Sequence, residues 1–350
     1  MSFSTGASAQ EESPAELVDQ AQEALLELMA PKKNRALFRR MLKTIQQLND
    51  DDVETLDLKI TAAAISEMRD AYAMFRPYHD RQKVTVFGSA RTAEHDPLYR
   101  QTEEVARRLS RAGWMVVTGA GPGIMEAGMR GAGRESSIGV SIRLPNEQQA
   151  NPVIQDDPKH VTMRYFFTRK LMLVKESHGF ICMPGGFGTL DETFELLTLT
   201  QTGKGIPVPI VLLDVPGDRY WSEVEDFIRD QLLSRGLVSD ADMNLFTCTN
   251  RADEAVSTII DFYSNYQSLR YVGNQIILRV RQLPDAAHLE QLNDRFSMIC
   301  KGGKIEPVEP AGVELRDTDE LQLKRLTFPF GRHSFGDLHR LIHAVNEAVR

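Results

Sequence analysis

Three glycine-rich turns hold the residues best suited to chemistry. The sharpest is Pro184-Gly185-Gly186-Phe187-Gly188-Thr189-Leu190-Asp191-Glu192, which sits between a short apolar run and a helical pattern. Glycine lets backbone adopt otherwise forbidden conformations and approach a ligand without a Cβ in the way. The helix that follows brings unpaired N–H groups and the positive end of its dipole to the same corner. Together these predict an anion site, with Gly185, Gly186, Gly188 and Thr189 around a phosphate and Thr189 also capping the helix. A plain strand-to-helix turn needs one glycine rather than three. A second turn, Gly119-Ala120-Gly121-Pro122-Gly123, adds Gly121 and Gly123, and a third, Phe87-Gly88-Ser89-Ala90-Arg91, adds Gly88, the Ser89 hydroxyl and the Arg91 guanidinium. Glu192 falls one helical turn beyond the glycines, where a carboxylate faces a sugar attached to the bound phosphate. Arg164, Arg169, Lys170 and Lys175 lie on the preceding helical stretch, from which one basic side chain is placed to reach Glu192.

These turns need a sheet to hold them. Short β-rich runs at Lys83–Phe87, Trp114–Thr118, Ser137–Ile142, Gly179–Met183 and Pro209–Asp214 alternate with helical patterns at 97–112, 124–133, 165–177, 189–202 and 221–234. Such alternation specifies a parallel sheet with helices on both faces. The fold class expected is α/β, a Rossmann-like doubly wound parallel sheet whose carboxyl edge binds the ligand. A last unit, a strand at 244–247 and a helix at 252–263, closes this domain near residue 265. Before it, residues 14–80 read as a helical leader: Ser13-Pro14-Ala15-Glu16 forms a capping box with proline at the first helical position, Pro31 stops that helix, and amphipathic stretches at 35–48 and 56–75 follow. Residues 1–13 are expected to be a disordered tail. Residues 266–350 read as a small α+β appendage, with strands at 275–280, 305–308 and 325–328 and helices at 285–298 and 335–348.

Composition narrows the function. The 350 residues carry a formal net charge of −8, which gives no general electrostatic case for nucleic acid or an anionic membrane. Cys182, Cys248 and Cys300 are widely spaced, so neither a disulfide framework nor a structural zinc site is encoded, and a cytoplasmic setting is expected. No secretory leader or membrane span is read. A dinucleotide fingerprint is missing after the first strand, and Gly203-Lys204-Gly205 lacks a P-loop frame. His339 and His343 share a helix face but have no third ligand, so a solvated or interface helix is expected there. His178 reads as a capping or packing residue, and Met163, Met172 and Met183 as core fillers.

Arg169-Lys170, with Arg169 and Glu192 twenty-three residues apart, and the Pro184 to Glu192 run resemble the LONELY GUY (LOG) family of cytokinin-activating nucleoside-monophosphate phosphoribohydrolases, often mislabelled lysine decarboxylases. The resemblance covers about residues 83–265. It implies hydrolysis of the N-glycosidic bond of a nucleoside 5′-monophosphate, of AMP or cytokinin riboside monophosphate type, to free base and ribose 5-phosphate. By position it implies Arg169 and Glu192 as the catalytic pair and the glycine loop as the 5′-phosphate site. No cofactor or metal is implied, and a homodimer or larger homo-oligomer is. Arg169 is expected to hold Glu192 ionised by lowering its pKa. Departures occur at Ala90, where shorter members tend to have a second serine, and at Ala120 and Pro122, where glycines are common. The alternative reading is a non-hydrolytic nucleotide or molybdenum-cofactor carrier using the same crevice, which the presence of both Arg169 and Glu192 disfavours. A lysine decarboxylase would need a Schiff-base lysine for pyridoxal phosphate, and Lys170 beside Arg169 is a poor candidate. A third possibility is a regulatory or assembly module at 266–350 laid over an active hydrolase; the sequence there names no chemistry of its own.

Overall fold

A computed structural model describes residues 14–29, 34–144, 150–310, 312–331 and 334–350. The expectations for the tail 1–13, for Ser13 as a cap and for Pro31 as a helix stop lie outside these residues. The chain divides into two compact units, Met1–Ser66 and Glu67–Arg350. In the first, α1 (Pro14–Met29) and α2 (Arg35–Asp50) form an antiparallel pair joined by a bidentate bond from Arg39 to Glu23 at 2.6 and 2.8 Å. The division falls within α3 (Thr55–Phe75) rather than at residue 80, because Ala71 and Phe75 belong to the core of the second unit.

Seven parallel strands make the main sheet: β1 (Lys83–Phe87), β2 (Met115–Thr118), β3 (Ser137–Ile142), β4 (His160–Met163), β5 (Gly179–Cys182), β6 (Ile210–Leu213) and β7 (Thr247–Thr249). Their order is β4-β3-β2-β1-β5-β6-β7, so the direction of winding reverses between β1 and β5. Period-two alternation sends Val84, Val86, Val116, Ile181, Val211 and Leu213 to one face, and Phe87, Met115, Val117, Phe180, Ile210 and Leu212 to the other. The first face is covered by α4 (Pro97–Arg111), α5 (Ile124–Ala132) and α9 (Ala252–Asp261) through Val105, Leu109, Ile124 and Ile259. The second is covered by α6 (Phe166–Lys175), α7 (Phe187–Gln201) and α8 (Tyr220–Phe227) through Met172, Leu173, Leu196 and Trp221. Both faces are therefore dry, and the loops at the carboxyl edge are what the sheet presents to ligands.

Several elements depart from the sequence reading. The edge strand β4 was not anticipated. Helix α8 ends at Phe227 and widens into a π-type turn over 228–233, short of Ser234. Of the strand expected at 244–247, Asn244 ends a 3₁₀ turn (Asp240–Asn244), 245–246 are irregular, and Thr247 is the first residue of β7.

The C-terminal residues add an antiparallel sheet in the order β10-β11-β9-β8, from β8 (Tyr266–Val272), β9 (Gln275–Val280), β10 (Glu306–Pro307) and β11 (Lys324–Pro329). With it come α10 (Ala286–Phe296), α11 (Gly312–Asp317) and α12 (Phe335–Glu347). Ile276, Leu278, Leu326, Leu338 and Ile342 share one continuous core with Val84, Ile259 and Phe262 of the main sheet layer. Residues 266–350 therefore pack as part of the second unit. His339 is buried in this core, 2% exposed, with its ring 5.7 Å from that of Phe262, and burial pulls its pKa down to about 3. Its helix face is thus core, not a solvated surface. His178 packs and caps: its N–H donates to Lys83 O at 2.7 Å, and its Nδ1 accepts from Lys83 N–H at 3.3 Å.

Candidate active site

The three glycine turns leave β1, β2 and β5, three adjacent strands, with the sheet order reversing between β1 and β5. They interlock. Ile124 N–H, at the start of α5, donates to Ser89 O at 3.0 Å, and Met183 N–H donates to Phe87 O at 2.9 Å. Gly123 has φ +67°, and a Cβ there would strike Ser89 O, so glycine is doubly required. A Cβ at Gly88 would run into the Ile124 side chain, one at Gly121 would lie 2.6 Å from Met125 Cε, and one at Gly185 would collide with Thr189 Oγ1 and lie 3.1 Å from Ser89 N. Gly88, Ser89, Gly121, Gly123, Gly185 and Thr189 are thereby brought to one corner.

Gly186 and Gly188 differ. Neither has a positive φ, and a Cβ at either would meet nothing within 4 Å. Their lack of a side chain serves no contact within the protein. It leaves backbone open at the start of α7, where Leu190 N–H makes the first helical bond, to Gly186 O at 3.1 Å. The N–H groups of Phe187, Gly188 and Thr189 precede that bond and carry the helix's positive end. The helix starts at Phe187 with Gly186 at its N-cap and no side-chain cap, two residues earlier than expected. Thr189 is therefore inside the first turn, 5% exposed, and does not cap it.

Arg169 projects from α6 across the sheet edge. Its Nε donates to Val140 O on β3 at 3.0 Å, its Nη1 donates to Glu192 Oε1 at 3.1 Å, and its Nη2 occupies the space that a Gly119 side chain would fill. Both side chains are largely buried, at 10% and 14% exposure. Among the described residues, Glu192 Oε2 has no hydrogen-bond partner. Burial raises the Glu192 pKa above the ordinary carboxyl value; the nearby Arg169 and Lys170 charges pull it back without offsetting burial, and Asp191 adds to the rise. The expected lowering of this pKa is thus reversed, because the loss of hydration on burial outweighs the neighbouring positive charge.

Lys170 points elsewhere. Its ammonium pairs with Asp191 at 2.7 Å and Glu195 at 3.0 Å, and these bonds raise its pKa despite burial. A Schiff-base lysine needs the opposite shift. These residues do not fit pyridoxal phosphate chemistry. Cys182, beneath the loop, is held as a thiol by burial, its pKa pushed up to about 12.

Three residues that hold the site escaped sequence reasoning. The Tyr220 hydroxyl donates to Gly185 O at 2.7 Å. Asn151, buried, donates from N–H to Ala120 O at 2.8 Å and from Nδ2 to Gly121 O at 3.1 Å, which fixes a turn in which Ala120 has φ +59°. Glu67 binds the start of α6. Only the hydroxyl at 220, next to a tryptophan at a helix start, offered a signal.

The sequence model of a family described as "possible lysine decarboxylase" matches residues 122–259. A cytokinin riboside 5′-monophosphate phosphoribohydrolase of Arabidopsis thaliana is 32% identical over 101 residues, 29% of this chain and 46% of that protein. Another, of Oryza sativa subsp. japonica, is 27% identical over 170 residues, 47% of this chain and 66% of that protein. The chain spans about half the length of the curated relatives it matches. Among solved structures, a molybdenum cofactor carrier protein of Chlamydomonas reinhardtii is 20% identical with a TM-score of 0.37, covering 51% of this chain and 96% of that one.

Proposed function

We propose that this chain is a member of the LOG family and that it hydrolyses the N-glycosidic bond of nucleoside 5′-monophosphates to free base and ribose 5-phosphate. One observation supports the reading above the others: a buried Arg169–Glu192 pair, with one carboxylate oxygen unpartnered, lies beside a turn whose glycines leave open backbone at a helix N-terminus. The 5′-phosphate docks on the N–H groups of Phe187, Gly188 and Thr189. Its binding energy, realised away from the breaking bond, positions the sugar.

As the bond from C1′ to the base nitrogen lengthens, its electron pair leaves with the base, and positive charge builds on C1′ and the ring oxygen. Glu192 stabilises that charge and orients the water whose oxygen bonds to C1′. The water's proton balances the one the departing base takes up. Arg169 is the positioning partner: its fork is fixed by Val140 O, so the Glu192 carboxylate is held in one orientation.

The test is to incubate the purified protein with a panel of nucleoside 5′-monophosphates and the matching nucleosides, and to separate free bases by chromatography. Release of base from monophosphates but not from nucleosides is expected. Equal turnover of AMP and adenosine would remove the role given to the glycine loop. A nucleotide that raises Tm while no base appears would favour the carrier reading.

A further inference from the structure

Helix α6 carries Arg169 but lacks a cap of its own, since Tyr165 at its N-cap position makes no side-chain bond. Its start is held instead by Glu67 on α3. Glu67 Oε1 accepts from Arg164 N–H at 2.8 Å, and Oε2 accepts from the Thr168 hydroxyl at 2.6 Å and Tyr165 N–H at 3.5 Å. One carboxylate therefore ties the chain entering α6 to its first turn, and sets a negative charge at the positive end of that helix. Thr168 is wholly buried and directly precedes Arg169.

The position of that turn matters because Arg169 is committed on three sides, to Val140 O, to Glu192 and to the space left by Gly119. A small rotation of α6 cannot keep all three. We propose that Glu67 is a positioning residue of the active site, acting through α6 to hold the Arg169 guanidinium against Glu192. This rests on the reading of Arg169 and Glu192 given above. Glu67 lies outside the segment that matches the family, residues 122–259, so α3 supplies a part of the catalytic scaffold that the matched core does not contain.

The experiment compares Glu67→Ala and Glu67→Gln with the unaltered full chain, by steady-state turnover of AMP and by hydrogen exchange of the backbone across 164–169. Glu67→Ala is expected to lower kcat about tenfold with KM changed less than about twofold, because misplacing a catalytic group costs turnover while the phosphate loop on α7 is untouched. Amides across 164–169 exchange faster in the same variant. Glu67→Gln keeps one acceptor oxygen and restores most of both. Unchanged kcat and exchange in Glu67→Ala would overturn the proposal, as would a loss of kcat that Glu67→Gln does not relieve while exchange stays as in the unaltered protein. An unaltered protein that releases no base would end the reading of the site itself, and exchange across 164–169 then decides whether Glu67 holds α6.

Discussion

Two buried arginine–glutamate clusters occur in the second unit, and their surroundings separate a site from a strut. In the small sheet, Glu314 is wholly buried. Its Oε1 accepts from Arg279 at 2.9 and 2.8 Å, and its Oε2 accepts from Arg325 Nε at 3.1 Å. Arg325 Nη1 donates to Leu323 O, and its Nη2 donates to the carbonyls of Asp319 and Glu320. That network pins α11 to β9 and β11, uses both Glu314 oxygens, and runs on through Asp319 to Arg270. At the carboxyl edge of the main sheet, Glu192 accepts through one oxygen, its pKa is raised, and the neighbouring backbone at Gly186 and Gly188 has open space above it. Burial of an ion pair is thus no mark of function by itself. An unfinished set of partners beside open backbone at a helix N-terminus is the feature on which the proposed site rests.

The contrast can be broken by mutation. The largest effect is expected in the small-sheet cluster, where Glu314→Ala leaves two buried guanidinium groups short of a partner and costs about 3–5 kcal/mol of stability in denaturant unfolding. Turnover per folded molecule should not change. Glu192→Gln comes next: it keeps the shape and removes the charge, so kcat for AMP should fall at least about a hundredfold while Tm moves little. Near-normal kcat in that variant would make the two clusters alike. Gly188→Ala, in the first turn of α7, favours the helix by up to about 1 kcal/mol yet puts a methyl where phosphate would approach. Its KM should rise, and its Tm should not fall. The smallest effect is one of shape. Because Glu192 must be ionised and its folded pKa is raised, kcat/KM should decline as pH falls through a midpoint above the ordinary glutamate range. An acid limb below that range would contradict the burial argument.

The sheet was legible where strands are buried on both faces. Met115 to Val117 and Ile210 to Leu213 are continuous apolar runs, and Val84 to Phe87 is interrupted only by the buried Thr85, as parallel strands covered by helices require. Strand β4 was not, since an edge strand in which only Met163 is fully buried, His160-Val161-Thr162-Met163, lacks such a run. Strand β8 interrupts its apolar residues with Gln267, Ser268 and Arg270, and Gly273-Asn274 then turns it back into β9. At the site, the Gly185 to Thr189 turn and Glu192 could be picked out because their spacing is local to one strand, turn and helix, whereas the residues alone left Arg164, Arg169, Lys170 and Lys175 open and only the family resemblance singled out Arg169. The start of α7 was misjudged because glycines read as loop, although a helix tolerates them in its first turn. The sign of the Glu192 shift depends on burial, which no spacing reveals, and Glu67 lies about a hundred residues from the groups it binds.

The central claim is that a nucleotide's phosphate sits on the first turn of α7 with its sugar carbon against Glu192. A crystal structure with ribose 5-phosphate tests it most directly. Phosphate oxygens on the N–H groups of Phe187, Gly188 and Thr189, with C1 beside Glu192 Oε2, are the result expected. Ribose 5-phosphate bound elsewhere, or Glu192 turned away from the sugar, would contradict it.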